Sequence, residues 1–252
     1  MWTGFDYRGE PTPYGWPDIN SNFGIMDVCG FPKNNVYYYQ SWWTDEDILH
    51  LFPQWDWKGK EGQPIDLWCF SNCDSVELFL NGKNLGRKIT ERNSHLEWRV
   101  NYEPGILEAH GWRNGKMLAT KVETTGGPAA IQLTPDHSTI FADGEDVSVV
   151  TVTALDSAGR EVPSADNLIH FEIQGAGKII GVGNGNPSSH EPDKYLNGDY
   201  QRKLFNGKCE VIIQSMRSAA EITLKASSDG LKTDVITITA VPSRLESVVE
   251  EE

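Results

Sequence analysis

Two Asn-Gly dipeptides constrain this chain more than any other feature. Asn81-Gly82 lies between VELFL and KNLGRKI, and Asn114-Gly115 lies between LEAHGWR and KMLATKV. The tight turn that suits a right-twisted antiparallel pair needs positive φ at both central residues. Asn followed by Gly adopts that geometry at little steric cost. Flanked by alternating apolar residues, each dipeptide predicts a β-hairpin. QPIDLWCFSN and HLEWRVNY read as further short strands beside them. Strands repeating every ~8–12 residues predict an immunoglobulin-like β-sandwich over residues 58–126.

Gly126-Gly127-Pro128 reads as a hinge, and a second β series follows it. In that series Val147, Val149, Thr151 and Thr153 alternate with period two, as a half-buried strand requires. Asp156-Ser157-Ala158-Gly159 reads as a turn. A second immunoglobulin-like sandwich is therefore expected over 127–252, ending in an acidic tail with Glu246, Glu250, Glu251 and Glu252. Residues 183–207 break the rhythm. They are too long and polar for a hairpin loop, and loops of that size are usually functional or disordered.

Residues 1–57 differ in kind. Six of the nine Trp fall there, together with Tyr37, Tyr38 and Tyr39. MWTGFDY reads as a buried strand and RGEPTPYGWPD as a Pro- and Gly-punctuated loop. NNVYYYQSWW is helix-like, TDEDILHLFP ends it, and Pro53 forbids continuation of a helix there. The segment is too short and too aromatic to be a domain by itself. The polar stretch KGKEGQP marks its boundary.

The chemistry that the chain excludes is broad. A formal net charge of −14 argues against a nucleic-acid surface, which needs clustered Lys and Arg, and suits neutral ligands such as sugars. No apolar run is long enough to span a membrane. The N-terminus has no basic stretch followed by an apolar one, as a secretory signal would. The six His are scattered without HExxH spacing, and neither GxSxG nor a phosphate-binding loop is present. Gly181-Val182-Gly183-Asn184-Gly185 follows a strand and opens no helix, so it predicts no nucleotide site. The four Cys form no zinc pattern. Cys69 and Cys73 read as a pair of small buried residues, a disulfide within one strand being geometrically awkward. No metal and no cofactor is expected.

Glycoside hydrolysis needs two carboxylates at defined separation. Asp6, Glu10, Asp18 and Asp27 are the carboxylates of the aromatic segment, and no spacing among them identifies an acid and a nucleophile. Trp2, Tyr7, Tyr14 and Trp16 offer apolar faces on which a sugar ring could stack. Equally, they could be the aromatic core of a larger domain.

The first 43 residues, MWTGFDYRGEPTPYGWPDINSNFGIMDVCGFPKNNVYYYQSWW, resemble the end of the catalytic (β/α)8 barrel of glycoside hydrolase family 2, in its bacterial β-galactosidase form. SNCDSVELFLNGKNLG resembles the immunoglobulin-like domain that follows the barrel, and 130–241 a further C-terminal domain of the same kind. The resemblance implies a mainly β chain: the last strand and helix of a truncated barrel over 1–57, then two tandem immunoglobulin-like β-sandwiches. The parent would be a retaining β-galactosidase, periplasmic or secreted, or else a β-glucuronidase or β-mannosidase. Its two catalytic glutamates would lie on earlier strands, so this chain would carry no catalytic residue and would be inactive alone. Trp2 matches a platform beside the galactose site. Asp6 and Tyr7 would border the same pocket, and Lys33 its rim, unless Asp6 and Lys33 serve only to anchor the loop. The partner is then a carbohydrate substrate in the intact enzyme. Self-association through the exposed barrel remnant is a further expectation, and a carbohydrate-binding or surface interaction role for the sandwiches is the competing one.

Overall fold

Strand follows strand along nearly the whole chain. A computed structural model describes residues 3–243; the expectations for Trp2 and for the acidic tail lie outside the described residues. The chain divides into two compact units, 1–125 and 126–252, which are taken separately.

The first unit contains β1 (Thr3–Phe5), β2 (Gly24–Met26), α1 (Asn34–Trp43), β3 (Leu49–Phe52), β4 (Pro64–Ser71), β5 (Ser75–Leu80), β6 (Lys83–Ile89), β7 (Leu96–Asn101), β8 (Ile106–Arg113) and β9 (Lys116–Glu123). β1 and β2 form a parallel pair with Thr3 opposite Gly24 and Phe5 opposite Met26. The other strands form two sheets, ordered β3-β4-β7 and β6-β5-β8-β9. Their inward residues alternate along each strand, as in LEWRVN, where Leu96, Trp98 and Val100 are buried. Leu51, Leu67 and Cys69 of one sheet share a core with Val76, Leu78, Leu107 and Ala109 of the other. Each large side chain buried there stabilises the fold by about 1.5–3 kcal/mol relative to exposure. Both Asn-Gly turns take the expected backbone, with φ of +50° and +78° at Asn81 and Gly82, and +50° and +77° at Asn114 and Gly115.

The stretch 44–53 departs from expectation. The helix closes at Trp43, where the Thr44 N–H still bonds the Gln40 carbonyl. LHLF is then a strand, β3, antiparallel to β4 with Leu51 opposite Cys69. Alternation decides this. Leu51 enters the core, whereas His50 and Phe52 point to the outer face and meet aromatic neighbours there. Tyr37 of α1 stacks on His50 at 3.7 Å and Tyr38 meets Phe70 at 5.3 Å. A helix through 49–52 would forfeit both the ladder and that aromatic layer.

The second unit contains β10 (Ala130–Pro135), β11 (Thr139–Phe141), β12 (Val147–Leu155), β13 (Leu168–Gly175), β14 (Gly177–Gly183), β15 (Gln201–Lys203), β16 (Lys208–Ser215), β17 (Glu221–Ser227) and β18 (Asp234–Val241). Two sheets again result, ordered β10-β12-β16-β14 and β11-β18-β17-β13-β15. Val150, Val152, Val211 and Ile213 of one share a core with Ile169, Phe171, Ile222, Leu224 and Ile238 of the other. β11 and β15 were not legible as strands; each is three residues long and too short to show a period.

Cys69 and Cys73 are free, buried thiols, as expected of small core residues. Burial pushes the Cys69 thiol up to about 12. The Cys73 Sγ occupies the space beside Gly111, 2.5 Å from where a Cβ on that glycine would stand.

Candidate functional site

The aromatic segment is organised by one buried carboxylate. Asp6 directly follows β1, and its N–H donates to the Met26 carbonyl at 2.9 Å, extending the parallel pair. Its side chain turns inward: the residue is only 7 % exposed. One carboxylate oxygen accepts the Gly24 N–H at 2.9 Å, and the other meets the Lys33 ammonium at 2.6 Å. Lys33 stands at the start of α1, and its own N–H bonds the Ile25 carbonyl at 2.9 Å. A single ion pair thus ties the end of β1, the start of β2 and the start of the helix. Such a charge-assisted bond is stronger than a neutral one, and a buried carboxylate requires it.

Gly24 makes the arrangement possible. A Cβ there would stand 2.2 Å from the Asp6 nitrogen and 2.5 Å from the Met26 carbonyl oxygen. Asp27, one residue past β2, accepts the N–H groups of Cys29 and Phe31 at 2.9 and 3.0 Å. Burial holds its carboxyl above the usual carboxylate range; nearby Asp6 adds to this, while those two hydrogen bonds and the Lys33 charge oppose it.

From this root the chain makes a long excursion, 7–23. Its stem is closed by backbone bonds from Ser21 N–H to the Tyr7 carbonyl at 2.7 Å and from Gly9 N–H to the Ile19 carbonyl at 2.9 Å. The Tyr7 hydroxyl donates to the Glu10 carboxylate, and that bond holds the phenol above its ordinary pKa. The tip, 11–18, carries Tyr14, 56 % exposed, and Trp16, 82 % exposed.

Of the residues expected at the site, Asp6 and Lys33 are brought into contact, and Tyr7 lies next to them with a half-open ring. Trp2 is outside the described residues. Gly24 and Ser21 were missed. No sequence signal marks Gly24, because its requirement is close approach by another strand rather than a turn.

The second unit has its own long loop, 184–200, between β14 and β15. It is built on Arg202, 1 % exposed. One end of the guanidinium donates to the Val182 carbonyl at 2.8 Å and to the Asp193 carboxylate at 2.7 Å. The other end donates to the Ser189 hydroxyl at 3.2 Å. Because β14 and β15 are the outermost strands of different sheets, the Arg202–Val182 bond also fastens the two sheets together along that edge. Asn184, Asn186 and Ser189 spend their side-chain acceptors on backbone N–H groups within the loop. Period-two alternation with Leu204 could have flagged Arg202 as inward-facing.

Among the described residues no cluster of His, Cys, Asp or Glu could hold a metal, and no helix is long and apolar enough to cross a membrane.

Residues 131–237 match the glycoside hydrolase family 2 C-terminal domain 5, and residues 62–119 match a domain of unknown function, DUF4982. Over 243 residues the chain is 51 % identical to the β-galactosidase BoGH2A of Bacteroides ovatus, covering 95 % of this chain and 28 % of that protein. The chain belongs to glycoside hydrolase family 2. A β-glucuronidase of Formosa agariphila is also similar, 27 % identical over 230 residues that cover 89 % of this family 2 chain and 23 % of the relative. Among solved structures, a β-glycosidase from Bacteroides vulgatus superposes with a TM-score of 0.88 at 34 % identity, covering 95 % of this chain and 30 % of that one. The family 2 chain therefore spans under a third of the length of the curated relatives it matches.

Proposed function

We propose that this chain is the C-terminal part of a retaining β-galactosidase, in which it supplies one wall of the sugar pocket and two accessory sandwiches of the immunoglobulin type. Residues 1–43 of the 1–57 segment are, in this reading, the last strand, active-site loop and helix of a (β/α)8 barrel, whose sites lie at the C-terminal ends of the strands; β3, which pairs with β4, goes with the first sandwich. The parallel β1–β2 pair followed by α1 supports it. Trp2, Asp6, Tyr7 and Lys33 border the substrate, with Trp2 as the sugar platform.

The observation that carries the choice of activity is the 51 % identity, over 95 % of the chain, with a protein named as a β-galactosidase. The Asp6–Lys33 pair supports a neutral sugar. A uronate needs an available cation at its carboxylate, and the Lys33 ammonium is already neutralised at 2.6 Å by a buried partner. Hydrolysis proceeds by displacement of the aglycone by one glutamate, protonation of the leaving oxygen by a second, and attack of water on the glycosyl-enzyme. Both glutamates stand on earlier barrel strands. This chain's residues orient the galactosyl ring and keep the wall rigid.

The test is turnover of chromogenic β-galactoside and β-glucuronide by the isolated chain and by the full-length enzyme. The reading expects none from the isolated chain and β-galactoside hydrolysis from the full-length enzyme. A full-length enzyme that cleaves only the glucuronide would reverse the choice of sugar, which the similarity to a named β-glucuronidase keeps as the second reading. The loop 184–200 favours a scaffold role for the second unit over a carbohydrate-binding one, because the side chains of Asn184, Asn186 and Ser189 are engaged within the unit.

A further inference from the structure

The core of the first sandwich accounts for Leu51 of β3, but not for the residue before it. His50 leaves the strand on the outer face of its sheet and meets α1 there. Its ring stacks on Tyr37 of the helix at 3.7 Å and 14°, and on Phe52 at 5.3 Å and 24°. Its Nε2 stands 2.9 Å from the Asn34 side-chain oxygen. That oxygen can only accept, so Nε2 carries the hydrogen and donates. Burial lowers the imidazole pKa to about 4, so the ring is neutral at pH 7. One turn further on, the Tyr38 hydroxyl donates to the Asn93 carbonyl at 2.9 Å, a second tie between α1 and the sandwich. Asn34 is the first residue of α1, and Lys33 directly precedes it. Lys33 is held from the other side, by its N–H on the Ile25 carbonyl at 2.9 Å and by its ammonium on Asp6 at 2.6 Å. Successive residues are therefore fixed by the sandwich and by the wall, with no free chain between them. A planar peptide unit leaves few soft dihedrals to absorb a shift, so a displaced Asn34 carries Lys33 with it.

We propose that His50 is a positioning residue of the enzyme: through Asn34 and the first turn of α1 it sets where Lys33 stands, and so how the Asp6–Lys33 pair is presented to the sugar. The inference rests on the β-galactosidase reading and deepens it, because it makes the first sandwich part of what shapes the pocket and not only an accessory to it. The hydrogen bond and the stack divide the work. The stack holds helix to sheet by burial of ring faces and is tolerant of small rotations. The Nε2 bond is directional and fixes the helix start in one place. His50 does not touch the substrate, and no bond is made or broken on it.

Two substitutions in the full-length enzyme separate positioning from packing. His50→Phe keeps a ring for Tyr37 and Phe52 and removes the donor. His50→Gln removes the ring and keeps an amide N–H for Asn34. The phenylalanine variant is expected to lose about fivefold in kcat/KM, the fold-change that the net worth of one hydrogen bond corresponds to. Most of that loss should fall on kcat, as for a misoriented site. The glutamine variant should stay within about twofold of wild type. Thermal unfolding should rank them the other way, with phenylalanine the more stable. Asn34→Ala, on the far side of the same bond, should match His50→Phe, and the double variant should be no worse than either. Peptides containing the Asp6 and Lys33 amides should exchange hydrogen faster in the phenylalanine variant. Activity that follows stability, with phenylalanine above glutamine, would make His50 a packing residue and overturn the proposal. Equal activity in all variants would overturn it too, as would unchanged exchange at Asp6 and Lys33 in an impaired variant. The comparison is made on whichever chromogenic glycoside, β-galactoside or β-glucuronide, the wild-type enzyme cleaves. Cleavage of the glucuronide alone would reverse the choice of sugar while the ranking of variants still decides on His50, so the two failures are told apart.

Discussion

Two loops of nearly equal length, 6–23 and 184–200, each begin or end at a buried charge, and they come out opposite in character. Asp6 roots the first. A carboxylate only accepts, and its two oxygens are used by Gly24 N–H and Lys33 within a few residues of the flanking strands. It fixes the base and does not reach the tip, where Tyr14 and Trp16 are exposed. Arg202 roots the second. Its fork of donors reaches Ser189 and Asp193 in the middle of the loop as well as Val182 on the facing sheet. A long polar stretch is thereby drawn onto the sandwich edge. The difference follows the donor count of the root residue: Asp6 holds only the foot of its loop, whose tip is fixed by its own turns, whereas Arg202 reaches along the other.

The strongest way to break this comparison is to remove the fork. Arg202→Leu leaves the Val182 carbonyl and the loop acceptors without their donor, and Asp193 and Glu191 lose the guanidinium that lies 2.7 and 3.8 Å from their carboxylates. Removing one member of a buried charged network costs about 3–5 kcal/mol. A value near the lower end is expected here, because both acids reach water. Chemical denaturation of the whole chain should show the loss, and hydrogen exchange should show 184–200 losing protection. Arg202→Lys should fall between, since an ammonium cannot serve both groups of acceptors. A loss below about 1 kcal/mol, under the cost of one unmade buried hydrogen bond, would mean that the loop folds without its root.

Next in size is the foot of the first loop. Gly24→Ala puts a methyl group 2.2 Å from the Asp6 nitrogen, and backbone cannot yield as a side chain can. About 2–3 kcal/mol of destabilisation is expected, at the upper part of the range for overpacking, with loss of protection at the Asp6 and Gly24 amides. Unchanged stability would show that the β1–β2 pair is not held as closely as the geometry requires.

Sequence reasoning met these two loops unequally. The hairpins at Asn81-Gly82 and Asn114-Gly115 were legible because their turn chemistry is local. The long strands of both units were legible because burial enforces period two. The pairing of Asp6 with Lys33 was open to view only as two residues of one candidate pocket, since nothing local makes a carboxylate choose a lysine many residues away. Gly24 was invisible for the same reason. LHLF was missed as a strand because four residues cannot outvote a preceding helix pattern; its partner, Trp68–Ser71, decides it. Arg202 was overlooked because a charged residue is expected outside, and only its alternation with Leu204 argues otherwise.

A milder change separates charge from geometry at the first root. Asp6→Asn keeps an oxygen for the Gly24 N–H and removes the ion pair. Lys33 is partly exposed and water can replace its partner, so about 1 kcal/mol of destabilisation is expected. Lys33→Met should cost more, because it strands a buried carboxylate without compensation. If the order of the two variants in thermal unfolding is reversed, the carboxylate is not the residue that needs its partner, and the account of the foot is wrong.

The smallest effect on stability belongs to the tip. An indole that is 82 % exposed buries little apolar surface, so Trp16→Ala should alter unfolding free energy by no more than about 0.5 kcal/mol, as for other surface changes. This near-zero value gives the comparison its meaning. In the loop rooted by Arg202, side chains are spent on holding the loop, and truncating them should be felt in stability. In the loop rooted by Asp6, the tip is built by its turns and stem rather than by burial of its aromatic rings. A large stability loss for Trp16→Ala in the isolated chain would place the indole among the structural contacts and remove the contrast between the two loops.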